Sequence, residues 1–275
     1  APGANTYAGI NRGTRTPSPV ELGCADRNSP CMLSNAFGSD PYLKQVIATT
    51  LEAGLRGKRG KLEWQLGAFR TELRDDIFFV SAGGGTSRGY FTNIGATRRT
   101  GIEAALGVRE ADGLSWSARY NYLEATFRSE AVLASQNNST RDTDPTLAND
   151  EIRVTPGNVM PGNPRHQLHL SWGWNSGGDG PGWSATAALR AFSRAYVRGN
   201  ENNRHQAGTV VGLTDTRTYT GAGETPGYGV IDVNAQWRFD KRTALALKVG
   251  NLFDRRYGTG GFLSENAFPG GRFAV

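Results

Sequence analysis

Tyr228-Gly229-Val230-Ile231-Asp232-Val233-Asn234-Ala235-Gln236-Trp237-Arg238-Phe239 decides the fold, together with the Asp240-Lys241-Arg242 that follows and the return through Ala244-Leu245-Ala246-Leu247-Lys248-Val249. Successive side chains of a strand point to opposite faces. Ile231, Val233, Ala235, Trp237 and Phe239 therefore share one face, and Asp232, Asn234, Gln236 and Arg238 the other. Leu245, Leu247 and Val249 resume the apolar face after a short polar turn. This is a hairpin with one apolar and one strongly polar side. A strand of a soluble sandwich alternates too, so what matters is whether the rule recurs.

It recurs along the chain. Leu114, Trp116, Ala118, Tyr120 and Tyr122 oppose Ser115, Ser117, Arg119 and Asn121, and His166, Leu168, Leu170, Trp172 and Trp174 oppose Arg165, Gln167, His169, Ser171 and Gly173. Thr6, Ala8 and Ile10 read as a strand ended by Thr16-Pro17-Ser18-Pro19, because proline cannot donate to a ladder. A long irregular stretch runs on to about Lys44. Ile47, Thr49, Leu51, Ala53 and Leu55 form the next strand, since Gly54 and Gly57 and the lack of a 3.6-residue stripe argue against a helix. After a turn at 57–61 the partner strand places Leu62, Trp64, Leu66 and Ala68 together and continues less regularly through Asp75-Asp76-Ile77-Phe78-Phe79-Val80. Ile94, Ala96, Ile102, Ala104 and Leu106 share a face, and Trp183 to Arg198 reads as a weaker strand.

The connections alternate long and short. Residues 16–44, 81–89, 129–164 and 199–226 are long and rich in Asn, Ser, Asp, Pro and Gly, while 58–60, 109–113, 175–182 and 240–242 are short. Short turns at one end and long loops at the other are the mark of outer-membrane barrels. A soluble sandwich has no reason to sort loop lengths by parity. Trp116, Tyr122, Trp172, Trp174, Trp183, Trp237 and Phe239 near strand ends fit interfacial girdles on a lipid-facing outside. The expected fold is all-β: an antiparallel up-and-down transmembrane β-barrel, here about nine strands of it, in a single unit over residues 1–275.

Composition agrees with this reading. The 275 residues include 37 glycines and 10% aromatics, and no apolar run is long enough for a transmembrane helix. The net charge of +6 comes from 31 basic and 25 acidic residues spread along the chain, which is not the concentrated basic face of a nucleic-acid binder. No signal peptide stands at Ala1, so the start is either a mature terminus or an internal cut. Cys24 and Cys31 lie close together in a Pro, Asn and Ser-rich stretch and can close a loop disulfide in an oxidising compartment. A metal pair is the rival reading, with no nearby histidine and no common zinc spacing to support it.

No catalytic constellation appears. Asp75 and Asp76 are neighbours, so as strand residues they face opposite ways and read as a solvated strand end. His166 falls on an apolar face, His169 on a polar face and His205 in a long loop, too dispersed for a metal site. Gly83-Gly84-Gly85 lacks the Gly-Lys-Ser or Gly-Lys-Thr of a phosphate loop and reads as a flexible connection. Asn137-Asn138-Ser139-Thr140 reads as a chance glycosylation pattern. The chain is read as having no enzymatic activity, no cofactor and no metal site.

Five motifs carry a resemblance. Arg12-Gly13-Thr14-Arg15-Thr16-Pro17-Ser18-Pro19-Val20-Glu21-Leu22, Glu52-Ala53-Gly54-Leu55-Arg56-Gly57, Tyr90-Phe91-Thr92-Asn93-Ile94-Gly95, Arg99-Thr100-Gly101-Ile102-Glu103 and Asn251-Leu252-Phe253-Asp254-Arg255-Arg256-Tyr257 occur in that order. Order and spacing resemble the C-terminal barrel half of TonB-dependent outer-membrane receptors. The resemblance implies a barrel of about 22 strands in the outer membrane of a Gram-negative bacterium, an N-terminal plug, engagement of the inner-membrane TonB complex, and uptake of ferric siderophores, haem, cobalamin or another scarce solute. Plug, TonB-engaging box and first barrel half are not found, and the chain stops at Arg272-Phe273-Ala274-Val275 without a terminal aromatic strand. A fragment with two open sheet edges is therefore expected.

Under this resemblance the partners are outer-membrane lipid, the TonB complex and a metal chelate or similar solute, with no nucleic acid. Tyr196, Arg198, Arg204, His205, Arg217 and Tyr219, aromatic and basic residues of the long loops, are the expected contacts to an anionic ferric chelate. Arg119, Asn121, Asp232, Asn234, Gln236 and Arg238 are expected to line the lumen against the plug. Two alternatives stand beside it: a passive porin-like small barrel, which calls for an even strand number, and a soluble β-rich carbohydrate-binding domain.

Overall fold

A computed structural model describes residues 3–28, 30, 43–82, 89–110, 112–176 and 180–263. Nine strands form one antiparallel sheet: β1 Gly3–Arg15, β2 Val46–Arg59, β3 Leu62–Arg74, β4 Thr97–Arg109, β5 Leu114–Phe127, β6 His166–Asn175, β7 Gly182–Phe192, β8 Tyr228–Arg238 and β9 Ala244–Val249. Spatial order follows chain order without a crossover, an up-and-down meander with β1 and β9 at its edges. Among the described residues no helix is long and apolar enough to cross a membrane, which says nothing about strands.

Register turns the alternation of single strands into two continuous faces. Leu62, Val108, Trp116, Trp172, Ala187, Val233 and Val249 stand in one row across seven strands. On the opposite face Asn5, Arg56, Gln65, Ala105, Arg119, His169 and Arg190 form another. The apolar face is exposed: Ile10 is 75%, Leu245 66%, Leu247 65% and Trp183 50% accessible. An uncovered apolar face of this extent is not a soluble surface.

The core lies at the long-loop end. Val80, Ile94, Ala125, Phe127, Leu133, Ile152, Val154 and Met160 are buried together. Ala125 and Phe127 come from the end of β5, and the others from loops that carry structure of their own. Two small hairpins pair Ile77–Ser81 with Gly89–Asn93 and Ala131–Ala134 with Glu151–Val154. The connections 129–164 and 199–226, expected as long polar loops, thus carry short hairpins of their own, the second pairing Gly208–Val211 with Thr216–Tyr219.

Two strand boundaries also differ from expectation. The strand from Leu62 does not continue to Val80, because Asp75 turns left-handed at φ 54° and starts the small hairpin. Asp76 is not a solvated strand end: it is buried, accepts from the Ile77 amide at 3.1 Å and the Thr97 hydroxyl at 2.7 Å, and meets Arg99. The strand from Trp183 ends at Phe192, and only Ala195–Tyr196 resumes, paired with Glu224–Thr225. The irregular stretch after β1 contains α1, Pro19–Gly23, opened by a capping box between Ser18 and Glu21 with Arg15 bonded to the Glu21 carboxylate at 2.7 and 3.0 Å.

Candidate functional site: the loop cap and the polar face

Three connections, 129–164, 193–227 and 250–263, close into one cap. The Gly199 carbonyl, in a turn at φ 93°, accepts from the Ser135 hydroxyl and the Asn138 amide, each at 2.7 Å. The Arg198 amide donates to the Gly261 carbonyl at 2.9 Å, the Arg198 carbonyl accepts from the Leu263 amide at 2.8 Å, and the Asn137 side-chain amide reaches the Leu263 carbonyl at 3.1 Å. Asn138, Asn200 and Asn202 are buried here and bonded to backbone or to each other. Asn residues are the natural filling for such a core, since each amide offers both donors and acceptors.

Arg141 is the centre of the cap. Its guanidinium is buried and bonds both Asp215 oxygens at 2.6 Å, Asp150 and the Asn149 carbonyl at 3.3 Å, and the Tyr219 hydroxyl at 3.0 Å. Burial works to raise the Asp215 carboxyl, and Arg141 and Arg217 outweigh it and hold that carboxyl below its ordinary value. Beside it Asp142, left-handed at φ 55°, accepts from the Thr214 hydroxyl and amide and from the Asp215 amide, which together lower its carboxyl too.

The six expected ligand residues separate into two groups. His205 is buried in the cap and Tyr219 half-buried against it: their rings meet edge-on at 5.8 Å, and His205 Nδ1 accepts from the Ser139 amide at 3.1 Å. Desolvation lowers the His205 pKa against the opposing pull of the Thr220 and Gly221 backbone, so the ring is neutral with its proton on Nε2. Arg217 is exposed but joined to Asp215 at 2.8 Å. Arg198 and Arg204 are exposed on the cap, and Tyr196 is half-buried beside them. Nearby, enclosure raises the carboxyl of the partly exposed Glu201, which accepts from the Gly199 amide at 3.0 Å.

All six expected lumen residues lie on the polar face of the sheet. Asp232 accepts from Arg190 at 2.8 Å and from the Asn251 amide at 2.8 Å, and Asn234 donates to the Thr186 hydroxyl at 3.0 Å. Gln236 stands between Ser184 and Ala246, Arg238 between Gly182 and Ala244, Asn121 between Glu103 and Gln167, and Arg119 between Ala105 and His169. The Asn251-to-Tyr257 motif folds as a turn after β9. Asn251, at φ 49°, accepts from the Arg255 amide and donates to its carbonyl, and Tyr257 stacks on Tyr228 at 4.4 Å. Cys24 is buried at the end of α1, and Cys31 lies outside the described residues, as do Gly83-Gly84-Gly85 and the C-terminal Arg272 to Val275.

Sequence reasoning missed Arg141, Asp215 and Asp142. No local pattern marks them, because each is held by residues from another loop.

The chain spans about a third of the length of the solved structures it matches. It is similar to the ferric yersiniabactin uptake receptor FyuA from Yersinia pestis, at 19% identity, with 96% of this chain and 32% of that one covered and a TM-score of 0.63. It is similar to the siderophore receptor PiuA from Acinetobacter baumannii at 20% identity, 95% and 31% coverage and a TM-score of 0.61, and to the copper transporter OprC at 20% identity, 93% and 32% coverage and a TM-score of 0.61. At these identities the likeness establishes the fold. The family profile "TonB dependent receptor-like, beta-barrel" matches residues 1–252, and with the two-faced meander and its long-loop cap this makes the chain a member of the TonB-dependent receptor β-barrel family.

Proposed function

We propose that the chain is the C-terminal part of the barrel of an outer-membrane receptor that imports a ferric siderophore or a similar metal chelate with energy delivered through TonB. The observation that carries this reading is the sorting of the molecule into an exposed apolar face, a polar face, and a folded cap at the long-loop end. A passive pore needs no such cap, and a soluble domain has no use for the exposed apolar face. Siderophore receptors among the similar structures support the choice of solute.

In this reading the apolar face meets lipid, and Arg119, Asn121, Asp232, Asn234, Gln236 and Arg238 line the lumen. Tyr196, Arg198 and Arg204 are the cap residues that offer aromatic surface and positive charge to an anionic chelate, while His205, Tyr219 and Arg217 hold the cap in shape. A disulfide between Cys24 and Cys31 belongs to the same proposal.

The test is uptake of radioiron-loaded catecholate, hydroxamate and mixed chelates by iron-starved cells with and without the full-length receptor. Accumulation of one chelate class that stops when a protonophore collapses the inner-membrane potential is the expected result. Equilibration of many small solutes, unaffected by the protonophore, would make the protein a passive pore.

A further inference from the structure

At the cap end of the apolar face, four arginines surround one carboxylate. Arg12, Thr49, Glu72 and Arg98 stand in a single register row across β1 to β4. Arg70 lies one row below, between Leu51 and Thr100, and Arg74 one row above, beside Ile47. Along their strands all four share the parity of Ile10, Leu51, Leu66 and Ile102, so they point outward with the apolar residues rather than toward the polar face.

Their height fixes what they meet. From the row of Leu62, Trp116 and Trp172 up to Arg70 and Arg74, β3 climbs ~20–30 Å along a barrel axis, at ~3.3 Å per residue and a tilt of ~40°. The apolar band of such barrels is ~25 Å tall, so the guanidiniums sit where hydrocarbon gives way to headgroups. Long loops mark the outward side, which places this collar at the outer leaflet.

Internal pairing does not account for the collar. Glu72 Oε1 takes Arg70 at 2.7 Å and Arg98 at 2.6 Å, while Arg12 and Arg74 have no hydrogen-bond or ion partner among the described residues. Glu124, at the far end of Arg70's row, is engaged by Arg165 at 3.4 Å, so four cations against Glu72 leave a positive excess on a surface that already touches lipid. Guanidinium forks match phosphate oxygens two at a time.

We propose that Arg12, Arg70, Arg74 and Arg98 form a binding site for a phosphorylated lipid headgroup of the outer leaflet. The inference rests on the outer-membrane barrel reading above. A basic residue near an anionic surface contributes roughly fivefold in affinity, so the net excess predicts a preference of about a hundredfold for the phosphorylated lipid.

The experiment uses the full-length receptor in phosphatidylcholine nanodiscs, titrated with bisphosphorylated lipid A and with the same lipid stripped of both phosphates. Wild type is expected to retain the phosphorylated form ~100-fold better, millimolar inorganic phosphate to leave it bound, and the R12Q/R70Q/R98Q variant to lose the preference. A variant with lysine at the same three positions, which keeps charge but not the fork, is expected to fall between them. Equal binding of both lipids, or displacement by inorganic phosphate, overturns the site; so does a collar that pairs receptor copies without any phosphate preference. Failure of the receptor to enter the neutral nanodisc at all overturns the barrel reading instead, and with it the site.

Discussion

The guanidinium of Arg141 grips both carboxylate oxygens of Asp215 at 2.6 Å, joining two loops separated by the whole of β6 and β7. Replacing Arg141 by alanine removes the bidentate partner of Asp215, leaving it only the exposed Arg217, and the donor to the Tyr219 hydroxyl together. Loss of one member of a buried pair costs about 3–5 kcal/mol, and the partial exposure of Asp215 moves the expectation to ~2–3 kcal/mol. Hydrogen exchange should speed up in 129–164 and 193–227 together while β1 to β9 stay protected. Acceleration confined to the loop that carries the substitution would mean the cap is not one unit.

The cap should loosen in acid in two steps of known sign. His205 has a depressed pKa when folded, so the unfolded loop binds the proton first as pH falls through about 6.5, and stability declines from there. The carboxyls of Asp215 and Asp142 are also depressed; their stabilisation is complete above about 3.8 and is lost as pH falls through their lower folded values. Glu201, whose carboxyl is raised, acts in the opposite direction. The difference between wild type and His205→Gln cancels it, and exchange rates of the cap from pH 8 to 5 should diverge between the two below about 6.5. Parallel profiles would remove His205 from the account.

Gly54 keeps room for a ring. A Cβ there would lie 2.5 Å from Tyr7 Cζ and 2.7 Å from the Leu66 carbonyl oxygen, so the tyrosine lies across the glycine strand as a lid. Gly54→Val should lower stability by ~1–3 kcal/mol. Gly13→Ala, where nothing stands within 4 Å, should be nearly silent. Comparable melting temperatures for the two variants would show that the Tyr7 contact is dispensable.

Asn251 closes the motif after β9 by bonding Arg255 in both directions from a left-handed backbone. Asn251→Ala loses the bonds and keeps the strain, for an expected cost of ~1–3 kcal/mol, whereas Asn251→Asp retains the acceptor for the Arg255 amide and should cost less. The Tyr228–Tyr257 stack reports on it: near-ultraviolet circular dichroism should change in the first variant and hold in the second.

The strands were legible in the sequence because alternation is a local rule, and Ile231 to Phe239 shows it without knowledge of any partner. The loop-length parity was legible for the same reason. Where the rule bends, reading failed: Asp75 ends β3 through a backbone angle that no alternation reports. The capping box at Ser18-Pro19-Val20-Glu21 was present in the text, but the two prolines drew the reading to a strand end and an irregular stretch, and α1 was missed. The cap was illegible, since Arg141, Asp142, Asp215 and the buried asparagines look like turn residues until distant loops meet. His205 and Tyr219 stood out by residue type, and the fold buries His205 in the cap with Tyr219 half-buried against its ring.

If one face of the sheet meets lipid and the other a lumen, spin labels along β8 of the full-length receptor in bilayers will report it. Labels at 231, 233 and 235 should collide with oxygen, and labels at 232, 234 and 236 with a water-soluble nickel chelate, in strict alternation. Nickel access at every position, or no period of two, would contradict the barrel account.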